Sequence, residues 1–151
     1  MADPRSNDAP LASGRVVIRR YRPGKDGNWL RQLPADATPA ATVKGDDASS
    51  WIAEVDGRAA GILTWQLVEP LDEGKAIITR LWIEPAARQR GIATQLYRRA
   101  VSEVRKQYRK AGIHLQTVLL QGETDDQIAR AFAESLKFDI ADESDTFIRH
   151  I

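Results

Sequence analysis

Hydrophobic positions along this chain keep two rhythms, and the switch between them falls just past the middle. Ile77-Ile78-Thr79-Arg80-Leu81-Trp82-Ile83 is rich in the β-branched and aromatic residues that suit a buried strand, and Glu84-Pro85 ends it. Further on, Ala93, Leu96, Tyr97, Ala100, Val101, Val104 and Tyr108 recur at steps of three and four. That spacing predicts a long helix packed on one side, with Gly112 as its stop. Between strand and helix stands Arg88-Gln89-Arg90-Gly91-Ile92-Ala93. A strand that turns through Gly into a helix leaves the first helical amides unpaired and aimed into the turn. Such a turn suits phosphate, and Arg88 and Arg90 add charge-assisted donors beside it.

The remaining pattern predicts one continuous domain. Residues 1–14 are polar with Pro4 and Pro10, the composition of a disordered tail. Val16-Val17-Ile18 opens a first strand ending near Pro23, and a short helix is expected over 26–33, broken by Pro34. Residues 35–50 have the Ala, Thr, Asp and Pro content of an irregular connection. Segments 51–55 and 59–68 read as strands joined at Asp56-Gly57, a strong hairpin signal. Leu71-Asp72-Glu73-Gly74 turns into the strand before the phosphate loop. Beyond the long helix, 113–120 is a strand and 124–136 a helix with Thr124 as N-cap; 138–141 and 146–151 close with a hairpin. There is no repeat and no internal boundary, so 15–151 is taken as a single domain.

The loop resembles the acyl-CoA-binding signature of the GNAT N-acetyltransferase superfamily, Q/R-x-x-G-x-G/A, with Arg88, Gly91 and Ala93 at the constrained positions. Leu81-Trp82-Ile83-Glu84-Pro85 stands where that family has an apolar strand followed by Pro. The stretch from Trp51 through Asp56-Gly57 to Leu63 is similar to its central hairpin, and Ala129-Arg130-Ala131-Phe132 with Leu136-Lys137-Phe138 to its last helix and following strand.

This resemblance implies an α/β (α+β) fold: a mixed, mostly antiparallel sheet of six to seven strands flanked by about four helices, with a splay between the fourth and fifth strands. It implies acetyl-CoA as co-substrate and no metal. Cofactor contacts are expected from Leu81, Trp82 and Ile83 along the pantetheine arm, from Arg88, Gln89, Arg90, Gly91, Ile92, Ala93 and Thr94 at the pyrophosphate, and from Asp126 and Phe132 on the last helix. The implied chemistry is direct attack of a primary amine on the thioester, with oxyanion donors among the amides near Trp82 and Ile83. No catalytic residue stands out. Family members often carry a Tyr general acid where this chain has Ala133, and some carry a Glu base where it has Ile77. Thr79 shares the Ile77 face by period-two alternation. Glu84 falls on the opposite face at the strand's end, and Glu69 and Glu73 are placed to reach the splay from the preceding hairpin. These four are the weak candidates for proton handling.

Charge alters the picture in one respect. The chain of 151 residues carries a formal net charge of only +1, but residues 80–110 hold nine basic side chains against two acidic ones. Residues 34–75 hold eight acidic against three basic, which favours a cationic amine, small or peptidic, as acceptor. Arg105, Lys106, Arg109 and Lys110 lie beyond the first helical turn and read as a solvated face. No cysteine is present, which removes thiolate metal sites and Cys nucleophiles and fits a cytoplasmic protein, monomer or homodimer. Two histidines are too few for a metal cluster, and no apolar run reaches the ~20 residues of a membrane span. Two other classes remain open: an acyl-CoA-binding regulatory module lacking acid and base, and a nucleic-acid binder using the basic helix. The second lacks interleaved exposed aromatics and is argued against by the acidic segments.

Overall fold

A computed structural model describes residues 15–33, 50–88, 90–121, 139–140 and 146–151. Strand β1 (Val16–Arg20) leads into helix α1 (Pro23–Arg31); β2 (Ser50–Val55) and β3 (Arg58–Leu67) form a hairpin; β4 (Lys75–Ile83) leads through the Gly91 turn into helix α2 (Ile92–Lys110); β5 (Thr117–Gln121), β6 (Asp139–Ile140) and β7 (Thr146–His150) complete the sheet. The strands form one seven-stranded sheet in the order β1-β2-β3-β4-β5-β7-β6. Every neighbouring pair is antiparallel except β4–β5, which is parallel. This is the mixed sheet expected from the sequence. Among the described residues two α-helices are present; the expected tail over 1–14, the helix over 124–136 and the connection over 35–50, save Ser50, which instead opens β2, lie outside them.

Most element boundaries fall near their expected places, and the shifts have local causes. Helix α1 starts at Pro23 rather than Asp26, because Pro is tolerated at the first helical position. Asp26, in its first turn, reaches back to accept the Arg22 N–H at 2.7 Å. Strand β5 starts four residues later than expected. Residues 113–116 are used in rounding Gly112, where the Ile113 N–H donates to Tyr108 O, and in docking on Gly74, whose carbonyl accepts from the Gln116 and Thr117 amides. Gly74 has φ +65°, and a Cβ there would lie 2.2 Å from His114 O. Only glycine fits that junction.

The sheet buries both faces unequally. The α2 stripe (Ile92, Leu96, Tyr97, Ala100, Val101, Val104 and Tyr108) packs on one face against Ala53, Val55, Leu63, Trp65, Ile78, Ile83, Val118 and Leu120. The other face carries a smaller cluster, Ile52, Ile62 and Trp82, covered by Trp29, Leu30 and Leu33 from α1 and its end. Trp29 meets Trp82 with ring centroids 6.3 Å apart. Helix α2 and helix α1 therefore take opposite faces, and β4 is shared by both cores.

Candidate active site

β4 and β5 pair only from Lys75–Thr117 to Ile78–Leu120. Beyond Ile78 the strands part, and the parting coincides with a bulge. Trp65 faces Ile78 and Thr64 faces Arg80, so Thr79 is the extra residue with no partner across β3. A bulge bends a strand and increases its local twist, which carries the second half of β4 away from β5. The result is a V-shaped opening, pinned at its closed end by Gly74 and widening toward Ile83.

The bulge also resets the alternation of side chains. Ala76 and Ile78 belong to the α2-side core, but beyond Thr79 it is Leu81 and Ile83 that face that side, while Trp82 joins the α1-side cluster. This corrects the sequence-based placement of Thr79 and Glu84. Period two does not run through Thr79, and Glu84 falls in register with Arg80 and Trp82, on the face that Ile77 occupies before the bulge. Thr79 is buried, and its hydroxyl donates weakly to Thr64 O at 3.4 Å.

Main-chain polarity along the open edge follows from one bond. The Glu84 N–H donates to Ala60 O at 2.8 Å, so Glu84 and, by alternation, Trp82 turn their amides toward β3. Leu81 and Ile83 present theirs to the splay. Of the amides expected to serve as oxyanion donors, Trp82 is thus committed to the sheet and Ile83 is not.

At the mouth of the V, the loop turns into α2 through Gly91, which has φ +77° and acts as N-cap without any side-chain capping bond. Gln95 is the first amide to find an intrahelical acceptor, Gly91 O at 3.0 Å. The amides of Ile92, Ala93 and Thr94 precede it and are the free donors of the helix end; no acidic residue lies in this turn. The Ile92 side chain itself is buried in the core, so only its backbone is available. Arg90 has its Nε buried with no hydrogen-bond partner. An uncapped helix start beside an unsatisfied guanidinium nitrogen fits a phosphate group. Arg88 does something the sequence did not foretell: its Nε donates to Ile83 O at 2.7 Å, and its guanidinium carbon sits 5.9 Å from the Trp82 ring centroid. It braces the end of β4, with its terminal nitrogens left for an anion. Gln89, Asp126, Phe132 and Ala133 lie outside the described residues.

The acidic candidates fare differently. Glu69 and Glu73 are exposed at the start of β4, at the closed end of the V, and Glu73 pairs with Lys75 at 3.0 Å. Neither reaches the splay, because that hairpin is held against the β5 approach by Gly74. Of the other carboxylates over 34–75, Glu54 is bound by Arg19 and by Lys25 at 3.1 Å, and Asp56 accepts the Arg15 N–H at the hairpin tip. None stands beside the Thr79 bulge; Asp36, Asp46 and Asp47 lie outside the described residues. Only Glu84 of the carboxylate candidates is at the splay.

Sequence reasoning missed a polar row on the α1 face. The Tyr21 N–H donates to Ser50 O, Ser50 pairs with Thr64, and Thr64 with Arg80. The buried Ser50 and Thr64 hydroxyls meet at 2.9 Å. This row runs one step along the sheet from the apolar row Ile52–Ile62–Trp82, and it ends beside the bulge. A Thr in one strand core and an Arg in the next were the available signal. Their alignment depends on a register that no local pattern encodes. The basic flank of α2 forms a separate cleft of about 570 Å³ with Arg149, whose guanidinium lies 5.8 Å from the Tyr97 ring centroid. Arg105, Lys106, Arg109 and Lys110 are exposed there.

Residues 17–138 match the model of the acetyltransferase (GNAT) family. The chain belongs to the GNAT acetyltransferase family. Solved structures with the same fold include Ard1 from Thermoplasma volcanium (19% identity, TM-score 0.69, covering 90% of this chain and 97% of that one). Arabidopsis thaliana Naa50, in complex with the bisubstrate analogue CoA-Ac-MVNAL, is 16% identical with a TM-score of 0.63 over 88% of this chain and 95% of its own. The ribosomal-protein-S18-alanine N-acetyltransferase from Escherichia coli is 14% identical, TM-score 0.58, over 89% and 91%. A search of curated protein sequences found no match. Within this GNAT domain, no helix among the described residues is long and apolar enough to cross a membrane.

Proposed function

We propose that this GNAT protein is an N-acetyltransferase that moves an acetyl group from acetyl-CoA to a primary amine by direct attack on the thioester. The observation that carries the reading is the conjunction at β4: a parallel pair split by the Thr79 bulge, opening onto an uncapped α2 whose first turn lies beside the unsatisfied Arg90 Nε. The Ile92, Ala93 and Thr94 amides with Arg90 would hold the pyrophosphate. Leu81 and Ile83 would line the acyl arm with their main-chain groups along the open edge of β4. Arg88 fixes that edge by holding Ile83 O.

Acetyl-CoA supplies an activated acyl carbon and a thiolate leaving group. The protein's part is placement: the cofactor is held from the α2 side, while the amine approaches from the α1 face. The amine nitrogen forms its bond to the acyl carbon as the C–S bond breaks. The amine proton passes to water or to Glu84. An amide on the Leu81–Ile83 edge stabilises the charge that develops on the acyl oxygen. A thiol titrates near ~8.5, so its thiolate leaves without an acid, and Ala133 in place of Tyr is compatible with turnover.

The test is calorimetric titration with acetyl-CoA, followed by thiol-release assays over a panel of amines. Binding with turnover of at least one amine class supports the reading. Tight binding without turnover of any amine would identify an acyl-CoA-binding regulatory module instead. No binding would remove the reading altogether.

A further inference from the structure

Arg19 and Arg80 both stand on strands facing α1, and they are treated in opposite ways. Arg19 is saturated: Asp26 accepts from its two terminal nitrogens at 2.8 and 2.7 Å, and Glu54 accepts from its Nε. Lys25 joins Glu54, so this cluster holds two cations and two carboxylates and is neutral overall. Arg80 has no such company. Its Nε is buried without a hydrogen-bond partner, and it enters no ion pair among the described residues. Burial pushes its pKa down, and the nearby Tyr21 is the group that opposes this. A buried donor left unmatched is a standing cost that folded proteins rarely keep without a use.

Its position supplies the use. Arg80 follows the bulge residue directly and ends the row Tyr21–Ser50–Thr64–Arg80, on the face opposite α2 and the phosphate turn. An amine entering from the α1 face reaches the splay past this row. A guanidinium is a planar fork matched to a carboxylate, and the buried Ser50–Thr64 hydroxyl pair precedes it in the same row. The Arg19 cluster is internally balanced, whereas Arg80 has no anionic partner among the described residues, so its charge is left for an anionic group of a ligand.

We propose that the acceptor amine carries a carboxylate close to the attacking nitrogen, and that Arg80 beside the Thr79 bulge is the residue that receives it. This rests on the acetyltransferase reading, and it reverses the cationic acceptor that the charge count over 34–75 favoured. A half-buried cation without an ion-pair partner among the described residues repels polyamines and selects amino acids or acidic peptide N-termini.

The experiment compares kcat/KM for matched acceptors that differ only in the carboxylate. One series uses free amino acids against their carboxamides; the other uses peptides beginning with Glu or Asp against Gln or Asn; spermidine is the cationic reference. Wild type should favour the carboxylate member of one series by tenfold or more, and the series that responds identifies the source of the carboxylate. Arg80→Gln should raise KM for that member at least tenfold and bring the pair within threefold of each other. Its acetyl-CoA affinity should stay unchanged. Arg80→Lys, which keeps charge without the fork, should recover part of the discrimination. Arg80→Met should unfold at a urea midpoint no lower than wild type, since it removes a half-buried guanidinium with an unmatched buried Nε. Equal loss of both members of a pair in Arg80→Gln, a lowered midpoint in Arg80→Met, or preference for amides or spermidine in wild type would overturn the proposal while leaving the acetyltransferase reading intact. Absence of turnover with every amine would overturn both.

Discussion

Gly91 separates a folding role from a binding role, and Gly91→Val exposes the difference. Its φ of +77° lies where a β-branched residue is strained, and left-handed backbone costs an L-residue roughly 1–2 kcal/mol. A Cβ at this position meets no atom within 4 Å, so no clash adds to that strain. Against the ~5–15 kcal/mol that holds a typical domain, a loss of about 2 kcal/mol leaves the protein folded. Binding is another matter. The strain relaxes by rotating the peptide planes at the start of α2, and the Ile92, Ala93 and Thr94 amides lose their common aim. Forfeiting two or more hydrogen bonds to a charged group, worth ~1.5–3 kcal/mol each, lowers acetyl-CoA affinity about a hundredfold or more. Urea denaturation should show a modest shift of midpoint with an unchanged slope, and calorimetry should then show binding reduced below detection. Lys106→Ala, an exposed change far along the same helix, should match wild type in both. A folded Gly91→Val protein that binds acetyl-CoA within twofold of wild type would mean that this turn is not the phosphate site.

Other expectations test neighbouring parts of the argument. Gly74→Ala should cost about 3 kcal/mol or more, because left-handed strain adds to a Cβ lying 2.2 Å from a backbone oxygen; a shift under ~1 kcal/mol in urea melts would disprove the pinned closed end. Asp26→Asn should destabilise by about 2–3 kcal/mol, less than the ~3–5 kcal/mol of a wholly orphaned buried charge because Glu54 still holds Arg19. On Asp26 burial pushes the pKa up, but the Arg19 hydrogen bonds and the Arg22 amide outweigh it and hold the group below its ordinary value; Arg19 and Lys25 do the same to Glu54. Their contribution is therefore full above the unfolded pKa near ~4 and is lost as pH falls through the lower folded values; stability flat from pH 5 to 2 would contradict this. For catalysis, kcat/KM should climb with pH toward the acceptor amine's own pKa, and a plateau starting near pH ~6–7 would reveal a tuned base, with Glu84→Gln the variant to examine.

What the sequence made legible was local. The strand before the loop, the Asp56-Gly57 hairpin and the α2 stripe all announce themselves within a dozen residues, and the glycine turn into α2 is read from the same short window. Helix α1 was placed three residues late because its start is set by Pro23 and by the return of Asp26 to the Arg22 amide, neither of which shows in apolar spacing. Glu69 and Glu73 were brought too near the site because the direction in which β4–β5 opens depends on the Gly74 contact with residues 114–117. The acidic count over 34–75 is a different kind of reading: a net charge is blind to pairing, and of the carboxylates among the described residues Glu54 and Glu73 are engaged by Arg19, Lys25 and Lys75.

The bulge at Thr79 is where fold and chemistry become the same question. Without the extra residue, β4 would continue beside β5, and the Leu81 and Ile83 edge would be used up in a parallel ladder. Period-two alternation carried through from Ile78 would then put Arg80 and Trp82 on the α2 side, burying a guanidinium among Leu96, Val101 and their neighbours, where nothing polar could meet it. One inserted residue leaves that edge of β4 open and turns Arg80 and Trp82 to the opposite face, where Trp82 seals against Trp29 and Arg80 closes the polar row. Sequence patterns register an Arg inside an apolar strand as an irregularity. The register shift beside it places that Arg on the α1 side of the splay, without an ion-pair partner among the described residues.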